Sequence, residues 1–244
     1  MLLQSVIVKN WIWRGISILA NLGALVARGR TAIARITVQS QVPLRSADVT
    51  ARYPFQSLPD YLASNLDLVF IGINPGLYSV EKGHYFARST NRFWPAFSRS
   101  RLSEKVRLGL GTDVLGPIHD CELRRFGIGL TDMVKRPSAN ASEISPAEFA
   151  EWVPRLRRKL QRIKARVACF HGLTAYRPFQ KFVCRSSELP VLGLQATRIG
   201  ATRIYVVPNP SPANAHFTLH DQIEWYDCLA DEVSRLALIG DWQL

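Results

Sequence analysis

Two short stretches of the chain, GINPG at 72–76 and VPNPSPANAHF at 207–217, each set an asparagine directly before a proline. Proline holds the preceding residue extended, so Asn74 and Asn209 are expected to be fixed where the backbone turns off a sheet. A carboxamide can donate one hydrogen bond and accept another. It can therefore hold a water in place, but it cannot take the water's proton. Hydrolysis centred on Asn74 would forgo general-base assistance, which contributes about 10²–10⁴-fold. Such chemistry suits a bond whose leaving group departs largely unaided. Taken singly, either Asn-Pro reads as a turn; two of them at strand ends of one sheet point to a site. Gly76 is expected to adopt a backbone conformation closed to other residues and to let a ligand approach closely. The loop that follows is rich in aromatic residues, with His84, Tyr85, Phe86, Phe93 and Trp94 within GINPGLYSVEKGHYFARSTNRFW.

The elements that must position these residues alternate in type. LDLVFIGI (66–73), ARVACFHG (165–172) and TRIYVVPN (202–209) are short apolar runs, as expected of strands buried on both faces. SPAEFAEWVPRLRRKLQRI (145–163) reads as a helix capped by Ser145, with Pro146 at its first position and Glu148 closing a capping box. Pro154 should kink or divide it. A last helix is expected over 219–239. Strands alternating with helices predict an α/β fold, a three-layer α/β/α sandwich around a mostly parallel sheet. Ligands of such sheets bind beyond the carboxyl ends of the strands.

Composition narrows the function. Hydrophobic residues make up 47% of the 244, enough for a substantial core. The net charge of +12 suggests a polyanionic partner. Half of it lies in residues 1–47, which hold six basic residues and no acidic one. That segment reads as a presequence-like targeting extension or an unstructured tail, ahead of a catalytic domain over 48–244. Its apolar run, ISILANLGALVA, is too short to span a bilayer. Cys121, Cys169, Cys184 and Cys228 form no Cys-x-x-Cys pair, which predicts free thiols and no metal site. LGLGTDVLG (108–116) follows no strand and precedes no Gly-Lys-Ser, so a phosphate-binding loop is not expected.

Three stretches together resemble the mismatch-specific uracil-DNA and thymine-DNA glycosylases: GINPGLYSVEKGHYFARSTNRFW, GIGLTDMVKRPSANASEISPAEF (127–149) and VPNPSPANAHF. The resemblance runs from about 58 to 237. It implies a monomeric, cofactor-free and metal-free DNA repair enzyme that extrudes a mispaired uracil, or thymine or a modified cytosine, from double-stranded DNA carrying G·U or G·T mismatches. A wider relative acting also on single strands and a non-catalytic binder of damaged DNA are the rival readings. No membrane role is implied. The compartment stays open between a bacterial cytoplasm and a eukaryotic nucleus or mitochondrion.

Residue by residue, the resemblance assigns Asn74 to positioning the attacking water. It assigns Phe86 to stacking on the extruded base, with backbone groups around Ile73 and Phe86 reading the base edge; core packing is the alternative for Phe86. Asn91 is expected to cap a helix, with Phe93 and Trp94 in the core. Asp132 either accepts from N3–H of the base and assists the water, or forms a surface salt bridge with Lys135 or Arg136. Lys82 and Lys135 are expected to be phosphate contacts or solvated charges. The loop Ser211, Pro212, Ala213, Asn214 would plug the gap left by the base. Relatives often carry a bulkier side chain where this chain has Ala213, so Pro212, Asn214 or His216 could serve as the wedge.

Overall fold

The computed structural model describes residues 55–184 and 189–239, and the basic extension over 1–47 lies outside them. In chain order the main elements are β1 (Leu68–Gly72), α1 (Leu77–Lys82), α2 (Phe93–Arg99), α3 (Glu104–Leu110), β2 (Ile128–Asp132), α4 (Pro146–Ile163), β3 (Val167–His171), α5 (Leu173–Phe179), β4 (Gly193–Ile199), β5 (Thr202–Val207) and α6 (Leu219–Ile239). The sheet runs β2-β1-β3-β5-β4. All neighbouring pairs are parallel except β4 with β5.

Strand residues alternate between two apolar layers, as the pleat requires. Leu68 and Phe70 of β1, Val167 and Cys169 of β3, and Tyr205 and Val207 of β5 meet α2, α3 and α6 on one face. Val69 and Ile71, Ala168 and Phe170, and Ile204 and Val206 meet α4 and α5 on the other. Helices cover both faces, and the fold is the three-layer α/β/α sandwich. β1 connects outward to β2, and the chain then crosses back to β3. The order therefore reverses between β1 and β3, which opens a crevice above their carboxyl ends.

Strands β1, β3 and β5 fall inside the apolar runs. Two strands are not legible that way. β2 reads IGLTD, with only two large apolar residues, although all five positions are buried. β4 lies at the sheet edge and mixes buried with exposed residues, so it lacks an apolar run. Ser145 caps α4 as expected: its hydroxyl accepts from the Glu148 N–H, and the Glu148 carboxylate accepts from the Ser145 N–H. Pro154 does not divide α4, which continues to Ile163. Its apolar face, Trp152, Val153, Leu156, Leu160 and Ile163, is buried against the sheet and outweighs the one backbone bond that proline forfeits.

A charged cluster joins three segments beneath β2. The Asp60 carboxylate accepts from Lys135 Nζ (2.9 Å) and Thr131 Oγ1 (2.6 Å) and pairs with Lys159 Nζ (2.6 Å). Burial pulls the Asp60 carboxyl upward, but the two lysines outweigh it and hold the group well below the usual range. Lys135 is 2% exposed, which rules out its reading as a phosphate contact or solvated charge. Exposed Lys82 pairs with Glu81. Removing one partner of a buried pair typically costs about 3–5 kcal/mol. Asp60→Asn is therefore expected to lower the unfolding free energy by about that much in urea titrations at neutral pH.

Candidate active site

The parallel pairing of β1 with β2 continues after both strands end. Met133 N–H donates to Gly72 C=O and Val134 N–H to the Ile73 carbonyl, both at 2.9 Å. Ser138 N–H then donates to Pro75 C=O, and Leu77 N–H donates back to Ser138 C=O. GINPG and the segment after β2 thus run side by side, and Asn74 lies between them. Its Nδ2 donates to the Arg136 carbonyl (3.0 Å) and to Ser138 Oγ (2.8 Å). Both amide protons are engaged, so the Asn74 carboxamide presents Oδ1 as its open acceptor to the crevice. An asparagine held this way accepts from a water and offers it no proton.

The glycines serve differently from expectation. Gly76 is extended at φ −73°, a conformation any residue adopts; what it supplies is open space beside the crevice. The demanding position is Gly72, where a Cβ would collide with the Asp132 carboxylate.

Above the carboxyl ends lies a cavity of about 590 Å³, lined among others by Ile73, Asn74, Phe86, Asp132, His171 and Asn209. Phe86 is half-buried in the left-handed region at φ 54°. Strain of this kind costs about 1–3 kcal/mol and persists only where the surroundings impose it. They do so here. Asp120, fully buried, accepts from the Tyr85 N–H (2.9 Å) and bonds His84 Nδ1 (3.2 Å), while Trp94 Nε1 donates to the Tyr85 carbonyl. Phe93 backs the Phe86 ring in a stack with centroids 4.1 Å apart. Phe86 is thus packed from behind and lines the cavity in front. Asn91 Oδ1 accepts from the Phe93 N–H at the start of α2, and Phe93 and Trp94 are core.

Asp132 is buried and is not a surface ion pair. Lys135 is engaged with Asp60, and Arg136 is bound by Glu148. The Asp132 Oδ2 atom is buried without a hydrogen-bond partner. Burial pushes its carboxyl up to about 6. His171, at the end of β3, lines the same cavity and is held near pH 3 by burial, hence neutral.

The second Asn-Pro builds a loop. Asn209 Oδ1 accepts from the Ser211 N–H (3.0 Å), and Asn214 Nδ2 donates to the Asn209 carbonyl (3.0 Å). From below, Arg92 donates through one terminal nitrogen to the carbonyls of Ser211 (2.7 Å) and Asn214 (2.6 Å), and its N–H donates to Pro210 C=O. Pro212 and Ala213 stand exposed at the tip and border the cavity. Arg92 and Asp120 were not singled out from sequence. The signal for Arg92 was its place inside Asn-x-Phe-Trp; Asp120 lies in an irregular segment with none. Among the described residues no group of three or more His, Cys, Asp or Glu is arranged to hold a metal ion. Cys121, Cys169 and Cys228 are free thiols. Among the described residues no helix is long and apolar enough to cross a membrane.

The family model of the uracil DNA glycosylase superfamily matches residues 59–230. A G/U mismatch-specific uracil DNA glycosylase of Schizosaccharomyces pombe is 28% identical over 184 residues, which is 74% of this chain and 54% of that protein. The chain thus spans about half the length of that relative.

Two measurements test the site's construction. Arg92→Met is expected to raise amide exchange at Ala213 and Asn214 at least tenfold while leaving β1 and β3 protected, because the clamp alone is removed. The Asp132 carboxyl has an ordinary value of 3.8 and a folded value of about 6, so between these the folded state binds more protons. Stability must therefore fall as pH rises through that window. Relative to Asp132→Asn, the parent chain is expected to lose up to about 3 kcal/mol of unfolding free energy between pH 4 and pH 7.

Proposed function

Because the chain belongs to the uracil DNA glycosylase superfamily, we propose that it hydrolyses the N-glycosidic bond of mispaired uracil in double-stranded DNA. The observation that carries the reading is the orientation of Asn74: both amide protons are taken by the segment after β2, which leaves Oδ1 to hold a water beside a cavity backed by Phe86.

In this reading the nucleotide is extruded and its base stacks on Phe86, as enzymes that act on a base require. The unpartnered Asp132 Oδ2 accepts the N3–H of the base. The bond between C1′ and N1 breaks with its electron pair leaving on the base. The water held by Asn74 adds to the sugar cation at C1′ and releases its proton to solvent. No group in this scheme is a strong base, so departure of the base leads and attack by water follows. Unstacking costs a few kcal/mol and is cheapest for a mispaired base. The Ser211–Asn214 loop enters from the minor-groove side, with the Pro212 ring and the Ala213 methyl at its tip. So small a plug favours G·U over a well-paired A·U. The S. pombe relative, named for G/U mismatches, supports this preference.

Single-turnover base release from matched duplexes carrying G·U, A·U or G·T, and from single-stranded uracil, tests the proposal. Release from G·U is expected to exceed release from A·U, and Asn74→Ala is expected to lose about 10²-fold or more with duplex binding retained. Equal release from single strands would show a broader glycosylase. Binding without release from any substrate would leave a DNA-binding protein and end the hydrolytic reading.

A further inference from the structure

We propose that His171 determines which base the cavity accepts, by donating a hydrogen bond from Nδ1–H to a carbonyl oxygen of the extruded base. The proposal rests on the glycosylase reading for its ligand and on the buried imidazole for its geometry.

His171 is 2% exposed and ends β3 at the wall of the cavity. Its ring is fixed on several sides. Phe70 stacks on it at 4.9 Å, while Phe86 and Phe93 meet it edge-to-face at 5.3 and 5.5 Å. Nε2 lies 3.0 Å from the hydroxyl of Tyr226, a fully buried residue of α6. Nδ1 is buried and has no partner. A buried polar group left so costs about 1–3 kcal/mol, which makes such an atom at a cavity wall a candidate ligand contact.

The tautomer turns on Tyr226, whose hydroxyl lies beside the buried Gln222 amide as well as Nε2. If Nε2–H donated to the phenol oxygen, the phenol proton would turn to Gln222 Oε1 and the Nδ1 lone pair would be left unpaired. If the phenol donates to Nε2, its oxygen accepts from the Gln222 amide and the imidazole proton sits on Nδ1. The proposal takes the second arrangement. Burial keeps the ring neutral across the working range. Asp132 and His171 both line the cavity, and each keeps one buried atom without a partner, an acceptor at Oδ2 and, in this tautomer, a donor at Nδ1. That pair matches an imide edge, N–H beside C=O, as uracil and thymine carry. A base presenting an amino group to Nδ1–H would set donor against donor.

The experiment has two arms. In the first, ¹⁵N NMR of histidine-labelled protein is expected to show His171 protonated at Nδ1 and accepting at Nε2; an Nε2–H tautomer overturns the proposal. In the second, single-turnover release is compared for uracil, 2-thiouracil and 4-thiouracil opposite guanine. Sulfur is the poorer acceptor, so one thio-base is expected to be released about tenfold more slowly by the parent chain. His171→Phe is expected to lose about 10- to 100-fold on uracil and to show no further thio penalty, because both changes delete the same bond. Tyr226→Phe, which keeps the imidazole but frees its tautomer, is expected to show a reduced penalty. An unchanged thio penalty in His171→Phe, or none in the parent chain, overturns the proposal. If the parent chain releases no base at all, the glycosylase reading fails separately. Titration with free uracil then decides: a shift of the Nδ1 resonance keeps the contact, and no shift removes it.

Discussion

The site depends on backbone pairing that outlasts its strands. β1 and β2 stop at Gly72 and Asp132, yet the next residues keep exchanging N–H and C=O bonds as far as Ser138. The pairing slips by two residues on the way, from Gly72 opposite Asp132 to Gly76 opposite Ser138, and the Arg136 carbonyl and Ser138 Oγ arrive where Asn74 needs acceptors. An amide has two chemically different ends, and nothing in its own structure selects which one faces a cavity. The neighbouring backbone makes that choice. The register within the strands sets the Asp132 carboxylate over Gly72, where an added Cβ would meet it.

The second strand pair supplies the opposite wall by the same logic. β3 and β5 end together, with His171 beside Val207, and each then turns away through residues that hold it tightly. Gly172 adopts φ 95° and approaches the Asn209 Cβ, while Asn209 folds its own side chain back onto the Ser211 N–H. The two Asn-Pro motifs therefore do different work. Asn74 is held by others and leaves an oxygen open; Asn209 holds others and shapes a loop.

Much of this was legible in the chain. Strands with continuous β-branched and aromatic runs, such as LVFIG, and a helix with a complete capping box announce themselves through local chemistry. Asn74 and Phe86 were legible because their residue types are unusual for a simple turn. What could not be read were features decided by distant contacts. β2 has too few large apolar residues to look buried, and it becomes so only because β1 and the Asp60 segment cover it. Whether Asp132 faced solvent or a cavity turned on where Lys135 and Arg136 found partners, at Asp60 and Glu148. The anchors of the aromatic loop and the 209–214 loop, Asp120 and Arg92, act across 35 and about 120 residues of sequence, beyond any local pattern.

The bonds that hold the loop over 209–214 have an evolutionary corollary. Arg92 grips carbonyl oxygens, Asn209 and Asn214 brace the turn, and Ser211 Oγ receives the Ala213 N–H. None of these bonds uses the side chain at 213, which points out from a turn already complete without it. Replacement there leaves the loop's path intact, so this position can drift or be redesigned with little cost to folding. Lineages sharing this scaffold could diversify what sits at the tip while the clamp beneath it stays the same.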